Sequence, residues 1–279
     1  MPGWLVRLDG HDFDLESWRQ ALRPPFDPRC ERVEREEVIW ALRSHGFEDL
    51  ATAIQVKEAA LPLIDRLNGA LSVSAHAEPV HFRAVGRVDD RGEVRFVVLL
   101  EGAATMGARA SLSAVAEVRD ADGNLVPPVP PMPSAAQRWM ELAGREDDVA
   151  DMFVFAGRTG NWFDIYKAIE LAERLTGGQH ELLKLLGASA RAFKNMRRTA
   201  NFYRHARGDE PDVPTTLAEA KPLLRSVVRT VLDRRTGGPP IPGRTPVMPR
   251  AGRNGGLRDT CRTRSQPARR LAPASWRSC

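Results

Sequence analysis

The stretch 189–207 reads SARAFKNMRRTANFYRHAR and gathers the side chains best suited to chemistry in the chain. It holds Arg191, Lys194, Arg197, Arg198, Arg204 and Arg207 and no acid. At about 100° per residue, Phe193, Met196, Ala200 and Tyr203 cluster within roughly 80° and form a buried stripe. Arg198, Asn201 and His205 fall within roughly 60° of one another, away from that stripe. Their i, i+3, i+7 spacing puts them on successive turns of one face. An imidazole titrates near neutral pH and can move a proton. A guanidinium can hold a phosphate and stabilise charge developing on it. An amide can orient the imidazole or bind a ribose hydroxyl. Such a set can cleave RNA without a metal, using the 2′-hydroxyl of the RNA as nucleophile. Arg191, Lys194, Arg197, Arg204 and Arg207 would then grip the nucleic-acid backbone. A solvated basic face with one incidental histidine is the alternative reading of the same pattern.

Other chemistries lack their residues. There is no GxxxxGK[ST], no GxGxxG after a strand, no HExxH and no GxSxG. Asp120, Asp122 and Asn124 begin like a calcium loop, but Leu125 takes the place of the required glycine and Pro131 that of the closing acid. His76 and His81 have no third ligand near them in sequence, so a surface or packing role is expected. Cys30, Cys261 and Cys279 are too few and too far apart for a zinc site or a disulfide framework. No metal and no cofactor are expected. Unpaired cysteines suit a reducing cytoplasm. The start shows no signal-peptide pattern, and no apolar run approaches the roughly 18 residues of a membrane helix.

The elements that must position the 189–207 face can be read from period and punctuation. Residues 1–126 read as an α+β domain. Strands are expected at 4–8, 13–18 and 38–42, then at 80–88, 94–100 and 105–118 as an antiparallel meander. Between them Val56, Ala59, Ala60, Leu63, Ile64 and Leu67 recur at helical spacing within 47–68, with a kink at Pro62 and a stop at Gly69. Trp4, Trp18 and Trp40 are expected in a core or an interface. Residues 127–133, PPVPPMP, read as a stiff linker. Residues 134–236 read as an all-helical bundle. Helices open at Ser134 with Gln137, near Asp148, at Asn161 with Asp164, near His180, at Ser189 and at Thr216 with Glu219. Pro222 lies too deep for a clean first turn and predicts a kink or a later start.

Charge divides the chain as sharply as period does. Residues 237–279 carry nine arginines and one acid, for +8, with seven prolines and six glycines, and are expected to be a disordered basic tail. The whole chain is +5, so residues 1–236 are at −3. The tail supplies the entire excess, and the global charge says nothing about what the folded part binds. Six cations on one helix of an acidic body are therefore conspicuous.

The segment 198–205, RTANFYRH, resembles the Arg-x(4–6)-His motif of the HEPN superfamily, compact helical domains of bacterial defence, toxin and RNA-processing proteins. Thr199 follows the arginine where that family commonly carries Asn, Asp or His, and the amide stands instead at Asn201. The resemblance covers residues 134–236. A β-rich domain ahead of such a helical one also resembles bacterial proteins of defence type or unknown function. The resemblance implies a homodimer whose motif helices face each other, with Arg198 and His205 as the RNA-cleaving pair. Two expectations follow. One is a metal-independent ribonuclease of toxin or phage-defence type. The other is a non-catalytic module that binds RNA, a nucleotide or a protein and uses the basic helix for docking.

Overall fold

The computed structural model describes residues 3–34, 38–89, 94–97, 131–205 and 211–237. The strand expected at 105–118, most of the linker and the tail beyond Gly237 lie outside the described residues. The chain is α+β. β1 (Gly3–Asp9), β2 (Arg29–Val33), β3 (Ile39–Arg43), β4 (His81–Val88) and β5 (Val94–Val97) form one antiparallel sheet in the order β2-β3-β1-β4-β5. One face of the sheet carries Val6, Leu8, Trp40, Leu42 and Val85 into the main core. The other carries a small cluster of Leu5, Ala41 and Val88 with Phe96 against it. A side chain at Gly86 would meet Leu5 and the Phe96 ring at 2.9 Å, so the ring lies over the bare backbone.

Three expectations for this half are corrected. Residues 13–18 are not a strand but part of α1 (Asp12–Ala21). The His11 Nδ1 accepts from the Phe13 amide, and Leu15 and Trp18 bury one helical face. β2 has no counterpart among the expected strands. Only Cys30 is buried in it, while the outward Glu31 binds Arg29 and Arg43, each at 2.8 Å. The helix expected within 47–68 is α2 (Ala53–Ala75), opened by a Thr52/Gln55 capping box. It runs through Pro62, which sits on its exposed side, and past Gly69 to His76, whose φ of 56° ends it. Gly69 is a crossing point rather than a stop. A Cβ there would fall on the Phe153 carbonyl group, and one at Gly157 would lie 3.0 Å from the Gly69 nitrogen.

Three helices of the helical half open at their expected caps, while Ser189 lies in a turn ahead of its helix rather than capping it. α3 (Ala135–Ala143), α4 (Asp147–Gly157), α5 (Trp162–Thr176), α6 (Gln179–Leu186), α7 (Ala190–His205) and α8 (Leu217–Arg235) occupy the expected stretches. Capping boxes stand at Ser134/Gln137 and Thr216/Glu219, and the Asn161 side chain caps α5. Pro222 lies inside α8, on its exposed side, with no delay of the start. The two stretches on either side of 127–133 share one buried core. α2 packs on β4 and on α3, α4 and α8. Arg229 donates to the Val73 and Ser74 carbonyls at 2.7 and 2.9 Å, and Arg225 donates to the Ser72 hydroxyl at 3.0 Å. Gln137, itself buried, donates to the carbonyls of Arg23 and Pro28 between α1 and β2. Among the described residues no helix is long and apolar enough to cross a membrane.

Candidate functional site

α7 is held on two sides, and the third is left to solvent. Phe193, Met196, Thr199 and Ala200 are buried. On one flank Asn195 donates to the Val213 carbonyl at 3.0 Å and to the Thr215 hydroxyl, while the Thr199 hydroxyl accepts from the Thr215 amide. These bonds fasten the 211–216 segment along the helix. On the other flank α7 runs antiparallel to α5, whose acids meet its arginines. Arg197 donates to both oxygens of Glu173 (2.7 and 3.4 Å), and Arg204 donates to Glu170 at 3.0 Å. Lys167 adds a second cation on Glu170 at 2.9 Å. Burial of Glu170 opposes its ionisation, but the hydrogen bonds from Lys167 and Arg204 outweigh that and hold its carboxyl below the ordinary value.

The remaining face carries Arg191, Lys194, Arg198, Asn201 and His205, all exposed. Helical angle puts the five within roughly 80°. Arg198, Asn201 and His205 thus share one surface, as their spacing requires. Arg198 and Asn201 have no hydrogen-bond or ion-pair partner among the described residues. The five cations expected to grip a backbone separate into three groups. Arg191 and Lys194, on the same face as Arg198, have no hydrogen-bond or ion-pair partner among the described residues. Arg197 and Arg204 are engaged by α5. Arg207 lies outside the described residues.

A ring cluster next to His205 does not follow from the motif. The His205 imidazole meets the Tyr166 ring edge-on, with centroids 6.1 Å apart. The Arg204 guanidinium lies over Tyr166 at 4.3 Å and reaches Phe163 at 5.8 Å. Tyr203, expected in the buried stripe, is instead exposed around the end of α7, where it stacks on Trp162 at 5.7 Å with planes 10° apart. Phe163 falls off the buried stripe of α5, and that is the one sequence signal for an exposed ring here. The acids at 170 and 173 have a fainter signal. Their order, 170 then 173, meets Arg204 and then Arg197 only once the helices are known to be antiparallel.

Elsewhere the chemistry is poorer. A cleft of about 640 Å³ beside α1 and β2 is lined by Glu16, Arg19, Arg23, Cys30, Glu31 and Arg32. Its charges are largely spent. The hydrogen bond from Arg19 holds the Glu16 carboxyl low, and Glu31 is shared by Arg29 and Arg43. Burial pushes the Cys30 thiol up to about 12, which leaves no thiolate at neutral pH. His76 caps α2, His81 is exposed, and no group of three ligating side chains is found among the described residues. Compared with protein-family models, with curated proteins and with solved structures, the chain finds no match in any of the three.

Proposed function

We propose that the chain is a metal-independent endoribonuclease of toxin or phage-defence type, acting in the cytoplasm as a homodimer through the exposed face of α7. The observation that supports this reading is a division of labour. Arg197 and Arg204 are spent on Glu173 and Glu170, while Arg198, Asn201 and His205 stay open on one surface. In a −3 body an idle arginine beside an exposed imidazole is placed to meet an anion. Arg198 binds the scissile phosphate and stabilises the charge that builds on its oxygens. The His205 imidazole takes the proton of the ribose 2′-hydroxyl. The 2′-oxygen bonds to phosphorus, the bond from phosphorus to the 5′-oxygen breaks, and that oxygen gains a proton. The products are a 2′,3′-cyclic phosphate and a 5′-hydroxyl. A second copy of α7 across a two-fold axis supplies a second imidazole to protonate the leaving oxygen and closes an otherwise open surface.

The test is cleavage of RNA by the purified chain in excess chelator, with the ends of the products analysed. His205→Ala should lower the rate by about a hundredfold or more, and Arg198→Ala should do likewise without loss of fold. A chain that leaves RNA intact, or cleavage that survives His205→Ala, overturns the proposal. A second reading, a non-catalytic module that grips the RNA backbone, is favoured by one feature. The free cations continue from Arg198 to Lys194 and Arg191, about 10 Å along the helix at 1.5 Å per residue. That reading expects salt-sensitive binding with no product, unaffected by His205→Ala.

A further inference from the structure

We infer that the Phe163 ring is a stacking platform for an unpaired base, so that the α5–α7 surface takes single-stranded rather than double-stranded RNA. The inference rests on the RNA-directed reading above and names the substrate form that this reading leaves open. Phe163 is 49% exposed, although apolar rings are normally covered. It is joined to the α7 face by contacts. The ring lies 5.8 Å from the Arg204 guanidinium, which lies 4.3 Å over Tyr166, which touches His205. Arg204 cannot drift to a phosphate, because Glu170 holds it. Its role is to fix the ring surface, with its positive charge over the π-face. The platform therefore sits at the His205 end of a line of free cations running through Arg198 and Lys194 to Arg191.

Charge complementarity selects the occupant. Three cations in line on one helix, without an ion-pair partner among the described residues, match a phosphate backbone. A half-exposed ring at the end of that line matches a base that has left its stack. A duplex keeps its bases stacked on one another and offers no face to Phe163. An acidic peptide would satisfy the cations but leaves the ring without a planar partner.

The experiment uses fluorescence anisotropy on the full chain with three labelled RNA probes. One is a single-stranded oligonucleotide, one is its duplex, and one is the single strand carrying abasic sites. Non-cleavable 2′-deoxy substitution at the scissile positions keeps binding separate from cleavage. Phe163→Ala should weaken single-strand binding about tenfold, leave abasic and duplex binding unchanged, and leave the salt dependence unchanged. Phe163→Tyr should bind like the parent. Phe163→Leu, which keeps apolar volume without a ring, should behave like Phe163→Ala. Arg198→Ala should instead weaken all three probes and lower the salt slope by about one. If Phe163→Ala binds the single strand as the parent does while Arg198→Ala weakens it, the platform is refuted and the RNA-directed reading stands. If the parent chain binds none of the probes, both fall.

Discussion

Glu170 and Glu173 decide what the arginines of α7 are free to do. Each carboxylate lies on α5 within hydrogen-bonding distance of one guanidinium, and the two arginines they engage are seven residues apart on the facing helix. Arg198, one residue from Arg197, points elsewhere because a helical step turns it by about 100°. A residue-by-residue charge count treats all of these arginines alike, and the facing acids separate them. The ion pairs also make stability depend on pH. The Glu170 carboxyl is held below its ordinary value, so the folded state releases its proton more readily than the unfolded state. Its stabilisation is complete above the unfolded value of about 4.3 and drains as pH falls through the lower folded value. Glu170→Gln should therefore cost up to about 1 kcal/mol near neutral pH. The cost should shrink towards zero in strong acid, where the parent is protonated too. Urea unfolding of both proteins across the acid range measures this. A cost that stays the same at every pH would show that the carboxylate charge contributes nothing.

At the scale of elements, the crossing of α2 over α4 depends on two glycines. Gly69 and Gly157 face each other where the backbones touch, with the Phe153 carbonyl group against the Gly69 Cα. Gly69→Ala puts a methyl group into backbone atoms that cannot rotate away. The helices must part, and the loss should be about 3 kcal/mol, the upper range for an overpacked core. Gly144→Ala serves as a control. Its nearest neighbour would be the Glu141 carbonyl oxygen at 3.4 Å, and its φ is −70°. It should be neutral or stabilise by a few tenths of a kcal/mol. Denaturation midpoints compare the two, and a tolerated Gly69→Ala would mean that the crossing is looser than described. The same glycine shows what sequence can and cannot reveal. Helix starts are legible, because Ser134, Asn161 and Thr216 cap their own helices through local hydrogen bonds. The grouping of Arg198, Asn201 and His205 is legible too, since it needs only helical geometry. Gly69 reads as a stop because its partner lies 84 residues away, at Phe153. α1 reads as a strand because Phe13 and Leu15 alternate with Asp14 and Glu16, while the burial of Leu15 and Trp18 at i, i+3 becomes visible only once packed. The Phe163–Arg204–Tyr166 contacts belong to the same class, being made between helices rather than within one.

For the molecule as a whole, the expected division at 127–133 falls between two stretches that share one core. α2 belongs to the first stretch, yet it forms a wall of the second. It buries Val56, Ala60, Ile64 and Leu67 while its C-terminal turns receive Arg225 and Arg229 from α8. From the other direction, Gln137 on α3 closes the loop between α1 and β2. Removing 1–133 would strip α4 and α8 of the surface they pack on and leave Phe153 with one side uncovered. The exposed face of α7 is thus supported through α5 and α8 by a helix that lies on the sheet. Residues 134–237 produced alone should show no cooperative transition. In the full chain, tryptophan fluorescence and far-UV circular dichroism should report a single coincident unfolding, because Trp18 on α1 and Trp139 on α3 are buried in the same cluster. Two separated transitions, or a fragment that melts cooperatively by itself, would show that the contacts of α2 with α4 and α8 join two independently stable units rather than one.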